Sequence, residues 1–347
     1  MACELFKVEP GWYGGPGGDR RLGIYSVELV PRLPVQRLRG LAEMVEELGF
    51  HGVWLSEHPH NRSSIVAASH LLESLRRIWV GAGLFNPYLH KPPLVAQVAA
   101  TLSEVAPGRV RVLVGAGDGL TLESMGVVRE RPLERVGEML AAVKALLERG
   151  VYERGKAGLR LDFRPGEPPP IYVGAQGRGM LRLGARLGDG VLVNYSRVEE
   201  LRWALQVVGE ELGKRGRPWE GFDAAAFLTI SIDDDPSRAL RSALPYAAYI
   251  LLGSGRSFRE RYGVREGDLQ AIRDAVLRRD WRRLQDLMPR YVEYVAITGT
   301  PKQVSERVAE IRSLGYRHIV FGAPLGPDTG KALRMLGAMV GELEKLK

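Results

Sequence analysis

Short apolar runs alternate with longer amphipathic segments along most of the chain. Residues 22–28 are typical of a strand, and apolar side chains then recur every three or four positions over residues 34–48. Gly49 ends that predicted helix. Because the same strand and helix pair recurs along the chain, the pattern favours a parallel sheet with helical crossovers.

The pattern predicts eight strands and a helix after each of them. The predicted strands are residues 22–28, 53–55, 78–82, 110–114, 171–173, 191–193, 224–232 and 318–321. The predicted helices are residues 34–48, 64–75, 92–105, 132–147, 177–187, 199–214, 301–314 and a closing helix from 329. Residues 150–170, rich in Gly, Pro and charge, form a predicted insertion after helix 4. Helical segments within residues 236–295 form a second insertion, after strand 7.

This order of elements predicts a (β/α)8 TIM barrel, because each parallel strand is followed by a crossover helix. An open, doubly wound sheet is the competing architecture. No composition break divides the chain, so we predict a single barrel domain over residues 22–347, preceded by an N-terminal extension over residues 1–21.

Composition narrows the cellular setting. No run of eighteen apolar residues is present, and charged residues interrupt the N-terminal segment, so we expect a cytoplasmic protein without membrane contact. Cys3 is the only cysteine, which excludes an intrachain disulfide and a cysteine metal cage. Asn and Gln together number ten, as expected of a thermophile or of a biased genome composition.

The net charge of +8 first suggests nucleic acid. The basic residues are scattered, however, and only short pairs occur, such as Arg278-Arg279 and Arg282-Arg283. No zinc-finger spacing or RNA-binding aromatic motif accompanies them, so we expect no nucleic-acid partner. The excess charge would still attract a polyanionic cofactor or substrate.

Polar and glycine-rich segments follow seven of the predicted strands. In a barrel these segments share one face, the face that carries catalysis. They closely resemble the luciferase-like barrel superfamily, and within it the coenzyme F420-dependent 5,10-methylenetetrahydromethanopterin reductases. The stretches that carry the resemblance, in order, are VELVP, LSEHPHNR, VGAGLFNPY, GAGDGLTLESMGV, PIYVGAQGRGML, DGVLVNYS and HIVFGAPLGPD.

The resemblance implies an oxidoreductase that transfers hydride between coenzyme F420 and methylenetetrahydromethanopterin or a related C1-carrying pterin. An FMN-dependent luciferase-like monooxygenase, or another F420-dependent dehydrogenase, is the alternative. Members of this family are usually homodimers or homotetramers, so a homo-oligomer is expected.

Glu28 is the predicted catalytic residue. An acidic group inside an apolar strand is costly to bury unless it is used or paired. The resemblance places Glu28 near the substrate, where a carboxylate would stabilise a methylene-iminium cation or donate a proton. Pairing with an arginine is the structural alternative.

Glu57 and His58 follow the second strand. With His60 they do not match the spacing of a metal site, so we predict no metal. The resemblance instead implies an acidic residue and a histidine beside the deazaflavin, although Glu57 stands where Asp is usual. A structural role for His58 is the alternative.

Two further turns carry predicted cofactor contacts. Relatives have a non-prolyl cis peptide at the position of Gly83 and Leu84, where it would support the cofactor ring; a trans turn is the alternative. Gly115-Ala-Gly117-Asp118 lacks the third glycine of a dinucleotide fingerprint. The resemblance places Asp118 by the cofactor, and a helix N-cap is the alternative.

The segment from Gly174 to Met180 enters a predicted helix, and free amides at a helix start favour an anion. By resemblance, the amides of Gln176, Gly177 and Met180 hold the cofactor phosphate, together with Asn194 from the next strand end. A tight strand-to-helix turn without a ligand is the alternative.

Overall fold

The computed structural model describes residues 23–154 and 157–345, and the predicted extension over residues 1–21 lies outside the described residues. The strands are β1 (Ile24–Leu29), β2 (Gly52–Ser56), β3 (Trp79–Phe85), β4 (Val110–Val114), β5 (Val151–Arg154), β6 (Ala157–Arg160), β7 (Ile171–Ala175), β8 (Gly190–Val193), β9 (Asp223–Ile232), β10 (Ile297–Gly299) and β11 (His318–Leu325). The helices are α1 (Val35–Glu47), α2 (Ser64–Ser74), α3 (Pro92–Val105), α4 (Gly119–Ser124), α5 (Pro132–Arg149), α6 (Arg178–Leu187), α7 (Val198–Lys214), α8 (Pro236–Gly253), α9 (Arg256–Arg261), α10 (Glu266–Arg278), α11 (Trp281–Leu287), α12 (Val292–Val295), α13 (Pro301–Ser313) and α14 (Thr329–Lys345).

Eight strands form the predicted parallel barrel, in the order β9, β11, β1, β2, β3, β4, β7, β8, with a further pairing of β8 to β9. The barrel prediction is therefore confirmed, and an open doubly wound sheet is wrong. The two insertions lie where the sequence predicts them. The first contains the antiparallel hairpin β5–β6, and the second contains helices α8 to α12.

Besides the two strands of the hairpin, two short elements were not predicted, namely β10 and α4. Strand β10 pairs in parallel with β9, and α4 follows β4. Only three residues form β10, and α4 has six, so neither is long enough for hydrophobic periodicity to reveal it.

Contacts within the chain are concentrated in two compact units. The Glu28 unit comprises Ser26–Leu192 and Val208–Asp223, and the Asn194 unit comprises Val193–Val207, Ala224–Lys347 and the chain up to Tyr25. The single barrel domain over residues 22–347 stays a prediction.

Large aromatic side chains fill the interior of the Glu28 unit, and glycines make room for them. The rings of Trp54 and Trp79 meet edge to face at 5.1 Å, and Trp54 also meets Tyr172 at 5.3 Å. A Cβ atom on Gly52 would lie 2.2 Å from Trp79, and one on Gly81 would lie 2.2 Å from Trp54. Both strands therefore need glycine opposite these rings.

In the Asn194 unit, Tyr25 at the start of β1 stacks on Phe321 of β11, with ring centroids 6.1 Å apart. The guanidinium of Arg312 lies over the Tyr25 ring and contacts Glu344 at 3.2 Å. These contacts join the first strand to the last strand and to helices α13 and α14 within this unit.

Candidate active site

Glu28 lies in β1, one residue before its end, and is only partly exposed. Its Cα is paired with that of Trp54, and residues in register on parallel strands point to the same side of the sheet. Because the Trp54 ring packs among the interior aromatic side chains, Glu28 also faces the barrel interior. The structure thus places the predicted catalytic carboxylate on the same side of the sheet as Trp54.

Glu57 fixes the turn between β2 and α2. Its backbone N–H donates to the carbonyl of Gly83 at 2.8 Å, and its carboxylate accepts from the N–H of Ser64, the first residue of α2, at 2.7 Å. A charge-assisted bond of this kind satisfies an amide that a helix start leaves without a backbone partner. One carboxylate oxygen of Glu57 is therefore used by the protein itself.

His58 is a mostly buried imidazole beside two carboxylates. Burial lowers its pKa below the ordinary value, and His60 and Arg32 act in the same direction, while Asp118 and Glu57 oppose them. The ring of His60 lies 5.3 Å from that of His58. At neutral pH His58 is therefore an uncharged imidazole with one donor and one acceptor nitrogen.

Gly83 occupies a β-bulge, where the register between β3 and β4 shifts between Ala82 and Phe85. Its φ is +134°, and a Cβ there would lie 2.2 Å from the carbonyl oxygen of Leu113, so the bulge requires glycine. Among the described residues the single cis peptide is Ala323-Pro324. The Gly83-Leu84 peptide is therefore trans, which is the alternative that the sequence left open, and the bulge itself is present.

Leu84 extends over the ends of the next two barrel strands. A Cβ on Gly115 would lie 2.5 Å from its Cδ1, and one on Gly174 would lie 2.6 Å from the same atom. Two glycines of the strand-end motifs therefore accommodate a leucine side chain. Leu84 forms an apolar platform on top of β4 and β7.

Asp118 is the N-cap of α4. Its carboxylate accepts from the backbone N–H groups of Leu120 at 3.2 Å and Thr121 at 3.1 Å, and the Thr121 hydroxyl donates to it as well. The N-cap role, which was the structural alternative for Asp118, is thus observed. The negative charge of Asp118 also acts on His58, whose pKa it raises against the effect of burial.

Helix α6 starts without a side-chain cap. Gly177 is its N-cap residue, in an extended conformation, and has no side chain that could cap the helix. Gly177 is exposed, and a Cβ there would meet nothing within 4 Å. Gln176 precedes it, and Met180 lies in the first turn. The positive end of a helix dipole at an exposed glycine suits an anion.

Asn194 belongs to the Asn194 unit, immediately after β8. The segment that carries it is held by the second insertion of the same unit. Tyr195 stacks on Phe258 at 5.8 Å, and the Ser196 hydroxyl donates to the carbonyl of Val295 at 3.2 Å. Helices α9 and α12 thus fix the backbone on which Asn194 lies.

Asn86 and His90, in the segment between β3 and α3, were not predicted as site residues. Asn86 accepts from the N–H groups of Tyr88 and Leu89 at 3.2 and 3.1 Å, and its own N–H donates to Nδ1 of His90 at 3.3 Å. Burial lowers the pKa of His90, and the charge of Glu57 opposes that shift. The Asn-Pro pair signals the turn, but nothing in the sequence brings His90 to Glu57.

Across residues 23–154 and 157–345, no group of three or more His, Cys, Asp or Glu side chains is arranged to hold a metal ion. The helices of the same described part are too short or too polar to cross a membrane.

Comparison with known proteins covers nearly the whole chain. The luciferase-like monooxygenase family matches residues 19–318. A 5,10-methylenetetrahydromethanopterin reductase of Archaeoglobus fulgidus is 33% identical over 93% of this chain and 99% of its own. An F420-dependent glucose-6-phosphate dehydrogenase of Kineococcus radiotolerans is 28% identical over 88% of this chain and 91% of its own.

Among solved structures, the coenzyme F420 dependent tetrahydromethanopterin reductase of Methanopyrus kandleri superposes with a TM-score of 0.83. It is 26% identical, and the match covers 93% of this chain and 99% of that one. The family match spans most of the chain, and the barrel agrees with the solved reductase structure. The chain belongs to the luciferase-like monooxygenase family.

Proposed function

We propose that this protein is a 5,10-methylenetetrahydromethanopterin reductase that uses coenzyme F420. The observation that carries the proposal is the similarity to reductases of that name over nearly the full length of both chains. Relatives of two classes, a tetrahydromethanopterin reductase and a glucose-6-phosphate dehydrogenase, are F420-dependent, which supports this cofactor over FMN.

The residues of the Glu28 unit fit a flat cofactor with a phosphorylated tail. The α6 start has an exposed glycine as its N-cap residue, and the positive end of a helix dipole favours a phosphate group. Leu84, accommodated by Gly115 and Gly174, provides an apolar surface for one face of a ring. Gln176, Gly177 and Met180 would hold the phosphate, and Gly83 and Leu84 would support the ring.

When bound, reduced F420 supplies the hydride, and the protein contributes binding, orientation and charge. Neutral His58 would offer a hydrogen bond to a polar edge of the cofactor without adding a charge. Glu57 holds the turn that carries His58 in place through its bond to α2. Asp118 holds the turn after β4 in place through its bonds to α4. These residues are positioning groups in the proposal.

Glu28 is the proposed catalytic residue, since it presents a carboxylate on the inner face of the barrel. As an anion, it would stabilise positive charge on the methylene-iminium group of the pterin while the hydride is accepted. As an acid, it would deliver the proton that opens the imidazolidine ring. Both roles require the carboxylate itself.

The wider setting is part of the same proposal. We expect the enzyme to act in the cytoplasm, in one-carbon metabolism, as a homodimer or homotetramer. The low Asn and Gln content supports a thermophilic source.

The test is a pair of binding titrations followed by a turnover assay. The proposal expects tight binding of F420, weak binding of FMN, and hydride transfer from reduced F420 to a methylene-tetrahydropterin. An FMN-dependent monooxygenase is the second candidate, because the chain belongs to the luciferase-like monooxygenase family. Tight FMN binding with oxygen consumption would replace the reductase by that candidate.

A further inference from the structure

Two arginines and a tyrosine cluster beside the predicted site. Tyr88 lies in the turn after β3, Arg129 lies between α4 and α5, and Arg135 is the fourth residue of α5. All three belong to the Glu28 unit. We call Tyr88, Arg129 and Arg135 the arginine cluster; the sequence did not single it out.

Several contacts bring these side chains together. The guanidinium carbon of Arg135 lies 5.5 Å from the centre of the Tyr88 ring, and the Tyr88 hydroxyl donates to the carbonyl of Glu130 at 2.8 Å. Burial raises the pKa of Tyr88, while the charges of Arg135 and then Arg129 oppose the shift. Both guanidinium groups are therefore close enough to act on the same phenol.

The positive charge of the cluster is not neutralised by the described part of the protein. No carboxylate of residues 23–154 or 157–345 forms a salt bridge with Arg129 or Arg135. Arg131, between them in sequence, shows the ordinary surface arrangement, with its guanidinium 3.0 Å from the Glu134 carboxylate. Arg129 is exposed and Arg135 is partly exposed, so the positive charge of this segment is open to an anion from solution.

The cluster borders both turns that are expected to hold the cofactor. Arg129 donates to the carbonyl of Gly117 at 3.0 Å, directly before Asp118. Leu133, between the two arginines in sequence, packs against the α6 start, because a Cβ on Gly179 would lie 3.2 Å from its Cδ2. Arg129 thus borders the Asp118 turn directly, and the segment between the two arginines borders the α6 start.

We propose that Arg129 and Arg135, held in place by Gly117 and Tyr88, form an anion subsite for a carboxylate or phosphate group at the tail of a bound ligand. The proposal rests on the function proposed above, because that function supplies two ligands with acidic tails, the cofactor and the pterin. A guanidinium fork suits a planar carboxylate or a phosphate better than an ammonium group does. The subsite contributes binding and orientation, and the arginines take no part in hydride transfer.

The experiment compares the parent enzyme with Arg129→Gln, Arg135→Gln and the double variant. Arg149→Gln is the matched control, because Arg149 is an exposed arginine at the far end of the same helix, α5. Fluorescence titration measures the Kd of F420 and of the deazaflavin nucleoside that lacks phosphate and glutamate groups, and steady-state kinetics measures KM and kcat for the pterin. Citrate, at constant ionic strength, probes the subsite without any assumption about the reaction, through its effect on the melting temperature.

The double variant should raise either the Kd of F420 or the KM of the pterin about 10-fold, the size expected for one lost charge-assisted hydrogen bond. Its kcat should stay within about twofold of the parent, and binding of the truncated deazaflavin should not change. A change in Kd alone assigns the cofactor tail, and a change in KM alone assigns the pterin. Arg129→Lys should retain only part of the affinity, since it keeps the charge and loses the fork.

If F420 binding, pterin KM and the citrate effect in the double variant all match those of Arg149→Gln, the subsite does not exist, whatever the function. If the parent fails to bind F420, the proposed function is wrong and the citrate measurement alone decides. A stabilisation of the parent by citrate that is lost in the double variant supports the subsite in that case. An equal effect of citrate on both proteins overturns it.

Discussion

The turns after β4 and β7 both lead from a buried strand into a helix of the Glu28 unit, yet their helix starts differ. Asp118 bonds to the first amides of α4, whereas the N-cap residue of α6, Gly177, has no side chain to cap its helix. A carboxylate at the first start excludes an added anion by charge and by occupying the amides. The exposed glycine at the second start places no carboxylate there. Two similar glycine-rich motifs therefore have opposite consequences for ligand binding.

The largest effect on turnover is expected at Glu28, which lies in β1 and belongs to neither helix start. Glu28→Gln removes the negative charge and the acidic proton but keeps the size of the side chain, so kcat should fall by about 100-fold or more. The Kd of F420 should stay near that of the parent. Stopped-flow measurement of F420 oxidation with the pterin in excess checks the prediction, and an active Gln variant would show that Glu28 is structural.

The substitution Gly177→Asp removes the difference between the two helix starts, because it gives α6 a carboxylate N-cap like that of α4. Its extended backbone and the open space at the Cβ position allow an N-cap carboxylate, which would make the α6 start resemble the α4 start. We expect F420 to bind about 100-fold more weakly, while the protein becomes a few tenths of a kcal/mol more stable.

Gly177→Ala is the control, because it adds a Cβ without a capping group. Titration with F420 and urea unfolding of both variants separate the two effects. Normal F420 affinity in Gly177→Asp would show that the phosphate lies elsewhere.

The opposite change is Asp118→Ala, which uncaps α4. Loss of the bonds to Leu120 and Thr121 should lower the free energy of unfolding by about 1 kcal/mol. If Asp118 acts through position alone, F420 affinity should fall only a few-fold. A loss as large as that of Gly177→Asp would instead identify Asp118 as a direct cofactor contact.

The smallest effect on activity is expected at Glu46, which binds backbone amides outside the predicted site. Its carboxylate accepts from the N–H groups of Arg76, Arg77 and Ile78 at 2.9, 2.7 and 3.2 Å. Although partial burial raises its pKa, these bonds and the charge of Arg77 lower it below the ordinary 4.5.

A carboxylate with a lowered pKa in the folded state stabilises the protein above pH 4.5, and this contribution is lost as the pH falls through the lowered value. Glu46→Gln should therefore flatten the fall in melting temperature below pH 4.5 and leave kcat unchanged. An unchanged acid profile would show that these bonds contribute little.

The sequence by itself determined the barrel, because each strand is an apolar run and each helix an amphipathic stretch of adequate length. It also placed both insertions and the order of the strand-end motifs, and it located the uncapped start of α6, since a glycine-rich turn before an amphipathic helix is a local signal. The very short β10 and α4 were missed, because they lack periodicity.

Only the tertiary structure decided what the residues at the strand ends contact. Gly115 and Gly174 look like ligand-binding glycines in sequence, but they accommodate Leu84 from another strand. Glu57 and Asp118 look like free site carboxylates, but they bond to backbone amides. Arg129 and Arg135 look like surface charges, and their approach to Tyr88 depends on two loops that are distant in sequence. Periodicity reports how each segment buries its apolar face, whereas contacts between loops depend on how the closed barrel places their ends.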